Sequence, residues 1–148
     1  MGILNVTPDS FSDGGKFIDL EKAVEQAKKM VAEGADIIDV GGESTRPGSQ
    51  EISAQEELKR ILPVIERLAK EIDVPLSIDT YKAEVAEAAL QAGAHIVNDV
   101  WGMQRDPQMA SVVARYGVPV IAMHNQKGTH YPGDIMEEIC KYFRKSIQ

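Results

Sequence analysis

The sequence predicts an α/β fold built on a parallel β-sheet, and three observations support this prediction. Short aliphatic runs alternate with longer segments that carry apolar residues at helical spacing. The segment 34–40 (GADIIDV) nearly repeats at 93–98 (GAHIVN), and each copy is a helix stop followed by a strand. No glycine-rich dinucleotide fingerprint opens the first helix, and this favours a barrel over a doubly wound sheet.

Each predicted strand is a short aliphatic run. Pro8 ends the first run, because proline supplies no amide hydrogen for a sheet. Continuous aliphatic strands that are separated by helices are typical of a parallel sheet covered by helices. The predicted strands span residues 3–4, 37–40, 76–79, 96–98 and 120–123.

The helices are predicted from apolar periodicity and from residues that start or stop a helix. Ser53 and Glu56 form a capping box for the second helix, in which Pro63 is expected to produce a kink. Thr80 is expected to cap the third helix, and Asp106 to cap the fourth with proline at its first position. The apolar faces run from Leu20 to Val31, Leu58 to Leu68, Val85 to Ala92, Val112 to Tyr116 and Ile135 to Phe143.

Length and composition limit the class of protein. The 148 residues suit one domain, and 43% hydrophobic with 26% charged residues is the composition of a soluble globular protein. A net charge of −7 without a dense Lys/Arg cluster argues against a nucleic-acid partner. The sequence has no signal peptide and no long apolar run, so we expect no membrane partner and a cytoplasmic location. The single cysteine, Cys140, excludes an internal disulfide and a thiolate-rich metal site.

Polar side chains end every predicted strand. In a parallel barrel the carboxyl ends of the strands converge on the face where active sites lie. Acceptor groups without clustered cations suit a polar heterocycle with several N–H donors, or an anion bridged by a metal. The strand-end residues are Asn5, Asp39, Asp79, Asn98 with Asp99, and His124.

Two longer loops follow the first two strands at the same face. The first loop, residues 7–16, places Phe11 among Asp, Ser and Gly, where the ring either packs at the rim or closes over a ligand. The second loop, residues 41–48, carries Arg46, whose planar guanidinium suits a carboxylate or a phosphate. A solvated surface arginine is the alternative for Arg46.

The sequence contains the motifs MGILNVTPDSFSDGG at 1–15, IIDVGGESTRPG at 37–48, SIDTYKAEVA at 77–86, IVND at 96–99 and MHN at 123–125. Together these five motifs resemble bacterial dihydropteroate synthase. The resemblance implies a TIM (β/α)8 barrel, here incomplete, with about five βα units in a partial pterin-binding domain that spans residues 1–148 and ends within helix five. It implies condensation of p-aminobenzoate with 6-hydroxymethyl-7,8-dihydropterin pyrophosphate, which releases pyrophosphate on the folate pathway.

The resemblance also implies roles for individual residues. Asn5 would help hold the Mg²⁺ that binds the pyrophosphate. Asp79 and Asn98 would be the catalytic residues and would hydrogen-bond the pterin ring, with Met123 packing beside it. The two loops would close the site and form the p-aminobenzoate pocket, which sulfonamides also occupy. The loop residues with this implied role are Asp9, Phe11, Thr45, Arg46 and Pro47.

The family pattern includes motifs for strands six to eight that do not occur in this sequence. They are Asp-Pro-Gly, Ser-Arg-Lys and Arg-x-His, and a full barrel takes roughly 250 residues. We therefore expect turnover by this chain to be severely reduced or absent. The intact family is a homodimer, whereas an open five-stranded sheet with unpaired edges is expected to self-associate.

Two other interpretations remain open from the sequence. One is a non-catalytic half barrel or a pterin-binding remnant. The other is a pterin-binding methyltransferase module of the same barrel class, which would not share the Phe11 loop or the Ser-Thr-Arg-Pro loop. Assays of pterin binding and of pyrophosphate release separate these possibilities.

Overall fold

Strands and helices alternate along the chain as the sequence predicts. The computed structural model describes residues 1–7, 16–44, 50–126 and 128–147. In these ranges the strands are β1 (Gly2–Asn5), β2 (Ile38–Gly41), β3 (Leu76–Asp79), β4 (Ile96–Asp99) and β5 (Val120–Ala122). The helices are α1 (Lys16–Ala32), α2 (Ala54–Glu71), α3 (Ala83–Ala92), α4 (Met109–Tyr116) and α5 (Ile135–Ser146). None of the described helices is long and apolar enough to cross a membrane.

The strands form one parallel sheet in the order β1-β2-β3-β4-β5. Each strand therefore pairs with the next strand along the chain, as in a (β/α)8 barrel. A doubly wound sheet instead reverses its strand order at a switch point. The order confirms the predicted parallel sheet and its barrel type, of which the described chain contains five βα units.

The helices cover one face of this sheet and bury its aliphatic residues. Leu4, Val40, Ile78 and Val97 are partners in register across four strands, and each is at most 2% exposed. Full burial of one such side chain contributes about 1.5–3 kcal/mol. Because side chains alternate along a strand, the residues on either side of this row point to the opposite face. We call that opposite face the inner face.

The predicted N-cap of α2 is confirmed. Ser53 accepts a hydrogen bond from the Glu56 amide at 3.2 Å, which is the cap expected for α2. The helix continues through Pro63 to Glu71, and the kink remains a prediction. Gly93 and Gly117 end α3 and α4 in the left-handed conformation, with φ of 117° and 62°.

The predicted cap of α3 is wrong. Lys82 is the N-cap residue, and the Thr80 hydroxyl accepts from the Lys82 amide at 3.2 Å in the turn before the helix. The first helical amide, that of Ala83, donates to Asp106 Oδ2 at 2.8 Å. A carboxylate from the next loop therefore replaces the local cap.

Asp106 also explains why α4 begins two residues later than predicted. Its second oxygen, Oδ1, accepts from the Gln108 amide at 2.9 Å and closes the turn that precedes Met109. The Asp106 carboxylate thus joins two neighbouring βα units, because one oxygen serves α3 and the other serves the turn before α4.

Candidate functional site

The hydrogen-bond register places five residues, one from each strand, side by side on the inner face. Asn5 pairs with Gly41, Gly41 with Asp79, Asp79 with Asn98, and Asn98 with Ile121. Three of the residues predicted to form the site, Asn5, Asp79 and Asn98, therefore lie in one row. The sequence could predict the shared edge of the sheet, whereas the row follows from the observed register.

Polar side chains of this row and of the row before it form a cluster. Asn98 Nδ2 donates to Asp39 Oδ2 at 3.0 Å, and Asp39 is only 3% exposed. Asp39 and Ser77 are register partners in the row before Asp79. We call Asp39, Ser77, Asp79 and Asn98 the polar cluster.

Three buried atoms of the polar cluster have no hydrogen-bond partner among the described residues. They are Asp39 Oδ1, Ser77 Oγ and Asp79 Oδ1. Buried polar atoms in proteins are nearly always hydrogen-bonded, so each exception requires an explanation. Since two of these atoms are carboxylate oxygens, the cluster is complementary to a ligand that presents several N–H donors.

The environment of Asp79 disfavours its charged form. The pKa of this carboxyl is raised from 3.8 to about 7, first by burial and then by the nearby charges of Asp39 and Glu57. Near neutral pH the Asp79 carboxyl is therefore a mixture of protonated and ionised forms. A ligand that donates hydrogen bonds or carries positive charge would favour the ionised form.

A glycine leaves space beside Asp79. A Cβ atom at Gly41 would lie 3.4 Å from Asp79 Oδ2 and 3.8 Å from Asn5 Oδ1. Any side chain at this position would therefore project between the two polar groups. Gly41 keeps the space between Asn5 and Asp79 open to a ligand.

The other strand-end residues do not join the polar cluster. Asp99 is fully buried and accepts from the Trp101 and Met103 amides, both at 2.8 Å, which fixes the turn after β4. His124 packs against the rings of Tyr131 and Tyr142, with centroid distances of 5.8 Å and 4.7 Å. Asp99 and His124 therefore have structural contacts of their own.

The remaining predicted site residues are placed as follows. Met123 follows β5, is 46% exposed and donates its amide to the Asp99 carbonyl at 3.2 Å. Ser77 is not among the predicted strand-end residues, although a polar residue between the aliphatic Leu76 and Ile78 indicates an inward-facing position. The predicted loop residues outside the described ranges are Asp9, Phe11, Thr45, Arg46 and Pro47.

Comparisons with known proteins find close relatives over the whole chain. The family profile described as "Pterin binding enzyme" matches residues 1–148. The chain is 54% identical over 148 residues to dihydropteroate synthase of Bacillus subtilis. This match covers 100% of the chain and 52% of that protein. Its identity to dihydropteroate synthase of Streptococcus pyogenes is 51%, with 55% of that protein covered.

Solved structures give the same result. A Clostridium difficile dihydropteroate synthase crystallised in the presence of pteroic acid superposes with a TM-score of 0.97 at 60% identity, over 99% of this chain and 56% of that one. The Xanthomonas albilineans dihydropteroate synthase with 4-aminobenzoic acid gives 0.89 at 46% identity, over 99% and 54%. The chain thus spans about half the length of the relatives that it matches.

Proposed function

Because the chain belongs to the family of pterin-binding enzymes, we propose that its polar cluster binds the pterin ring of a substrate. We propose that the protein acts as a dihydropteroate synthase, which condenses p-aminobenzoate with 6-hydroxymethyl-7,8-dihydropterin pyrophosphate to give dihydropteroate and pyrophosphate. The domain 1–148 would supply the first five βα units of that barrel. The observation that carries the proposal is the set of three buried atoms of Asp39, Ser77 and Asp79 on the inner face that have no hydrogen-bond partner in the part of the chain that the structure describes.

The polar cluster suits the pyrimidine edge of a pterin, which presents an amino group and a ring N–H side by side. The ionised Asp79 carboxylate can accept hydrogen bonds from both donors, and its Oδ1 has no protein partner among the described residues. Asn98 donates its amide N–H to Asp39, which leaves the Asn98 Oδ1 atom as an acceptor for the ring. Met123 would pack beside the ring.

The proposed reaction forms a C–N bond and breaks a C–O bond at the pterin methylene carbon. Pyrophosphate leaves with the bonding electron pair, so positive charge develops on the methylene and the conjugated ring. The Asp79 carboxylate stabilises this charge, because a fixed negative group in a buried site costs no reorganisation. The amine of p-aminobenzoate then attacks the methylene carbon and loses a proton, and no covalent protein intermediate is required.

The two loops complete the proposed site. By the resemblance of their motifs, they would exclude water and bind p-aminobenzoate. The loop residues proposed for this role are Asp9, Phe11, Thr45, Arg46 and Pro47.

We propose Mg²⁺ as the cofactor and Asn5 as its protein ligand. The described residues contain no group of three or more His, Cys, Asp or Glu that could hold a metal by itself. Mg²⁺ at phosphate sites usually keeps several waters and takes one or two protein oxygens together with the phosphates, which fits the amide oxygen of Asn5 beside the space at Gly41. When bound, Mg²⁺ would offset the negative charge of pyrophosphate.

A second candidate function is pterin binding without turnover. It requires only the polar cluster, whose residues all lie in the part of the chain that the structure describes. On the inner face, Ile3 is 60% exposed and Ile121 is 37% exposed. Because exposed apolar side chains favour association, we propose that the chain self-associates through this face. We also propose a homodimer for the whole protein and a cytoplasmic location.

Calorimetric titration with 6-hydroxymethylpterin tests the site. We expect saturable binding to the chain and at least about tenfold weaker binding to Asn98→Leu, because the variant loses the acceptor and leaves Asp39 without its donor. The matched control is Gln91→Leu on α3, which removes a side-chain amide that donates to the Tyr116 hydroxyl at 2.8 Å. Equal affinity of Asn98→Leu and the unchanged chain for the pterin would contradict the proposed site.

Pyrophosphate release then separates the two candidate functions. Both substrates and Mg²⁺ are supplied, and released pyrophosphate is measured. Release above the level of the Asp79→Asn variant supports the synthase. Pterin binding without release supports the second candidate.

A further inference from the structure

The loop between β2 and α2 is held at both ends by cations from neighbouring loops. We call residues 42–44 the first stem and residues 50–53 the second stem. In the first stem, Glu43 accepts from the Lys82 ammonium and from the Tyr81 hydroxyl, the latter at 3.1 Å. In the second stem, Glu51 accepts from the Arg105 guanidinium.

The first stem is also fixed against α2. Lys82 Nζ lies 2.6 Å from Glu57 Oε2, and the Glu57 side chain is 1% exposed. The carbonyl of Gly42 accepts from Arg60 at 3.0 Å, and a Cβ at Gly42 would lie 2.8 Å from the side chain of Ile61. The start of the loop therefore has little freedom to move away from α2.

The ring of Tyr81 lies beside both cations that hold the stems, Lys82 and Arg105. Lys82 Nζ lies 4.7 Å from its centroid, and the guanidinium carbon of Arg105 lies 4.1 Å from it. Arg105 also lies 5.2 Å from the ring of Trp101. Cations at these distances are attracted to aromatic faces. One aromatic side chain thus contacts the cation that holds each stem.

The same residues lie close in sequence to the polar cluster. Tyr81 and Lys82 follow Asp79 by two and three residues, and Trp101 follows Asn98 by three. We propose that Tyr81, Lys82 and Arg105 are positioning residues that fix the two stems relative to Asp79 and Asn98. The proposal rests on the proposed function only in that the loop is taken to serve the p-aminobenzoate side of the site.

Hydrogen exchange of the full chain tests whether Arg105 holds the second stem. We expect backbone amides of residues 50–53 to exchange about threefold faster in Arg105→Gln, since a partly exposed ion pair and two cation–π contacts are lost. The matched control is Arg115→Gln, because Arg115 also pairs with a glutamate, Glu87 at 3.2 Å, and lies 5.8 Å from a tyrosine ring. Unchanged exchange of residues 50–53 in Arg105→Gln, or the same increase in the control, would overturn the proposal.

A conservative variant tests the first stem. We expect exchange of residues 42–44 to rise in Tyr81→Phe, which keeps the ring and removes only the hydroxyl that donates to Glu43. We expect Lys82→Arg to keep the protection of the same amides, because the charge remains between Glu43 and Glu57. Exchange in Tyr81→Phe that matches the unchanged chain would overturn the role of Tyr81.

Ligand affinity distinguishes positioning from a general loss of structure. In Arg105→Gln we expect weaker binding of a sulfonamide with pterin bound, and unchanged binding of the pterin itself. An equal loss of both affinities would overturn the positioning role. If no variant and no unchanged chain binds either ligand, the proposed function fails, while the exchange data still decide whether the stems are held.

Discussion

Replacing Asp79 with asparagine is expected to raise the free energy of unfolding above pH 7. The folded pKa of about 7 exceeds the ordinary value of 3.8, because burial disfavours the charge. Asp79 therefore costs the folded state no stability below about pH 4, and its cost grows as the pH rises to about 7. The shift sets an upper limit of about 4 kcal/mol on the destabilisation that the asparagine variant avoids.

Urea unfolding at pH 5 and pH 8 measures this effect. The unchanged chain should lose more stability between the two pH values than Asp79→Asn does. Asp73→Asn is the control, because Asp73 is an exposed aspartate in the loop before β3. The same pH dependence in Asp79→Asn and in the unchanged chain would contradict the burial of an ionisable Asp79.

The same substitution should weaken pterin binding, which makes it a test of function as well as stability. Between pH 5 and 7 we expect pterin affinity of the unchanged chain to fall about tenfold per unit of decreasing pH, because Asp79 must ionise to accept both N–H donors. Asp79→Asn should bind weakly and without this dependence. A stabilised variant that bound pterin as well as the unchanged chain would separate Asp79 from the proposed function.

Replacing Lys82 with methionine is expected to lower the free energy of unfolding by about 3–5 kcal/mol. Lys82 lies between Glu43 and Glu57, whose side chains are 8% and 1% exposed, and the variant leaves both carboxylates without their cation. Although burial alone lowers the pKa of Lys82, the hydrogen bonds from Lys82 to these two carboxylates raise it above its ordinary value. The ammonium is therefore charged throughout the neutral range.

A surface pair of the same length provides the control. Lys28 lies 2.6 Å from Glu71, with side chains that are 49% and 26% exposed. Lys28→Met should cost less than about 1 kcal/mol, because water already solvates both groups. The double variant Lys82→Met/Glu57→Gln should recover part of the loss. Chemical denaturation measures all three, and equal costs for Lys28→Met and Lys82→Met would contradict the buried network.

The order of elements could be predicted from the sequence because each strand and helix has a local pattern. Aliphatic runs specify the strands, and glycine stops such as Gly93 and Gly117 specify helix ends. The cap of α3 could not be predicted, because Asp106 reaches the Ala83 amide from 23 residues away. Local propensity at Thr80 therefore gave the wrong residue.

Part of the candidate site could also be predicted from the sequence, and part could not. Polar residues at strand ends predicted where Asp79 and Asn98 lie, since the ends of parallel strands share one edge. The hydrogen bond from Asn98 to Asp39 joins residues 59 apart, and the contacts of Lys82 with Glu57 and Glu43 join residues 25 and 39 apart. No local spacing indicates such contacts, so they follow only from the register and packing.

The side-chain amide of Asn98 provides the most direct test of a pterin site at the polar cluster. Its NMR signals can be assigned by their loss in Asn98→Leu and followed while 6-hydroxymethylpterin is added. We predict that they shift saturably, with a midpoint equal to the calorimetric dissociation constant, while the amide signals of Gln91 stay in place. Saturable pterin binding that leaves the Asn98 amide signals unchanged would contradict the proposed site.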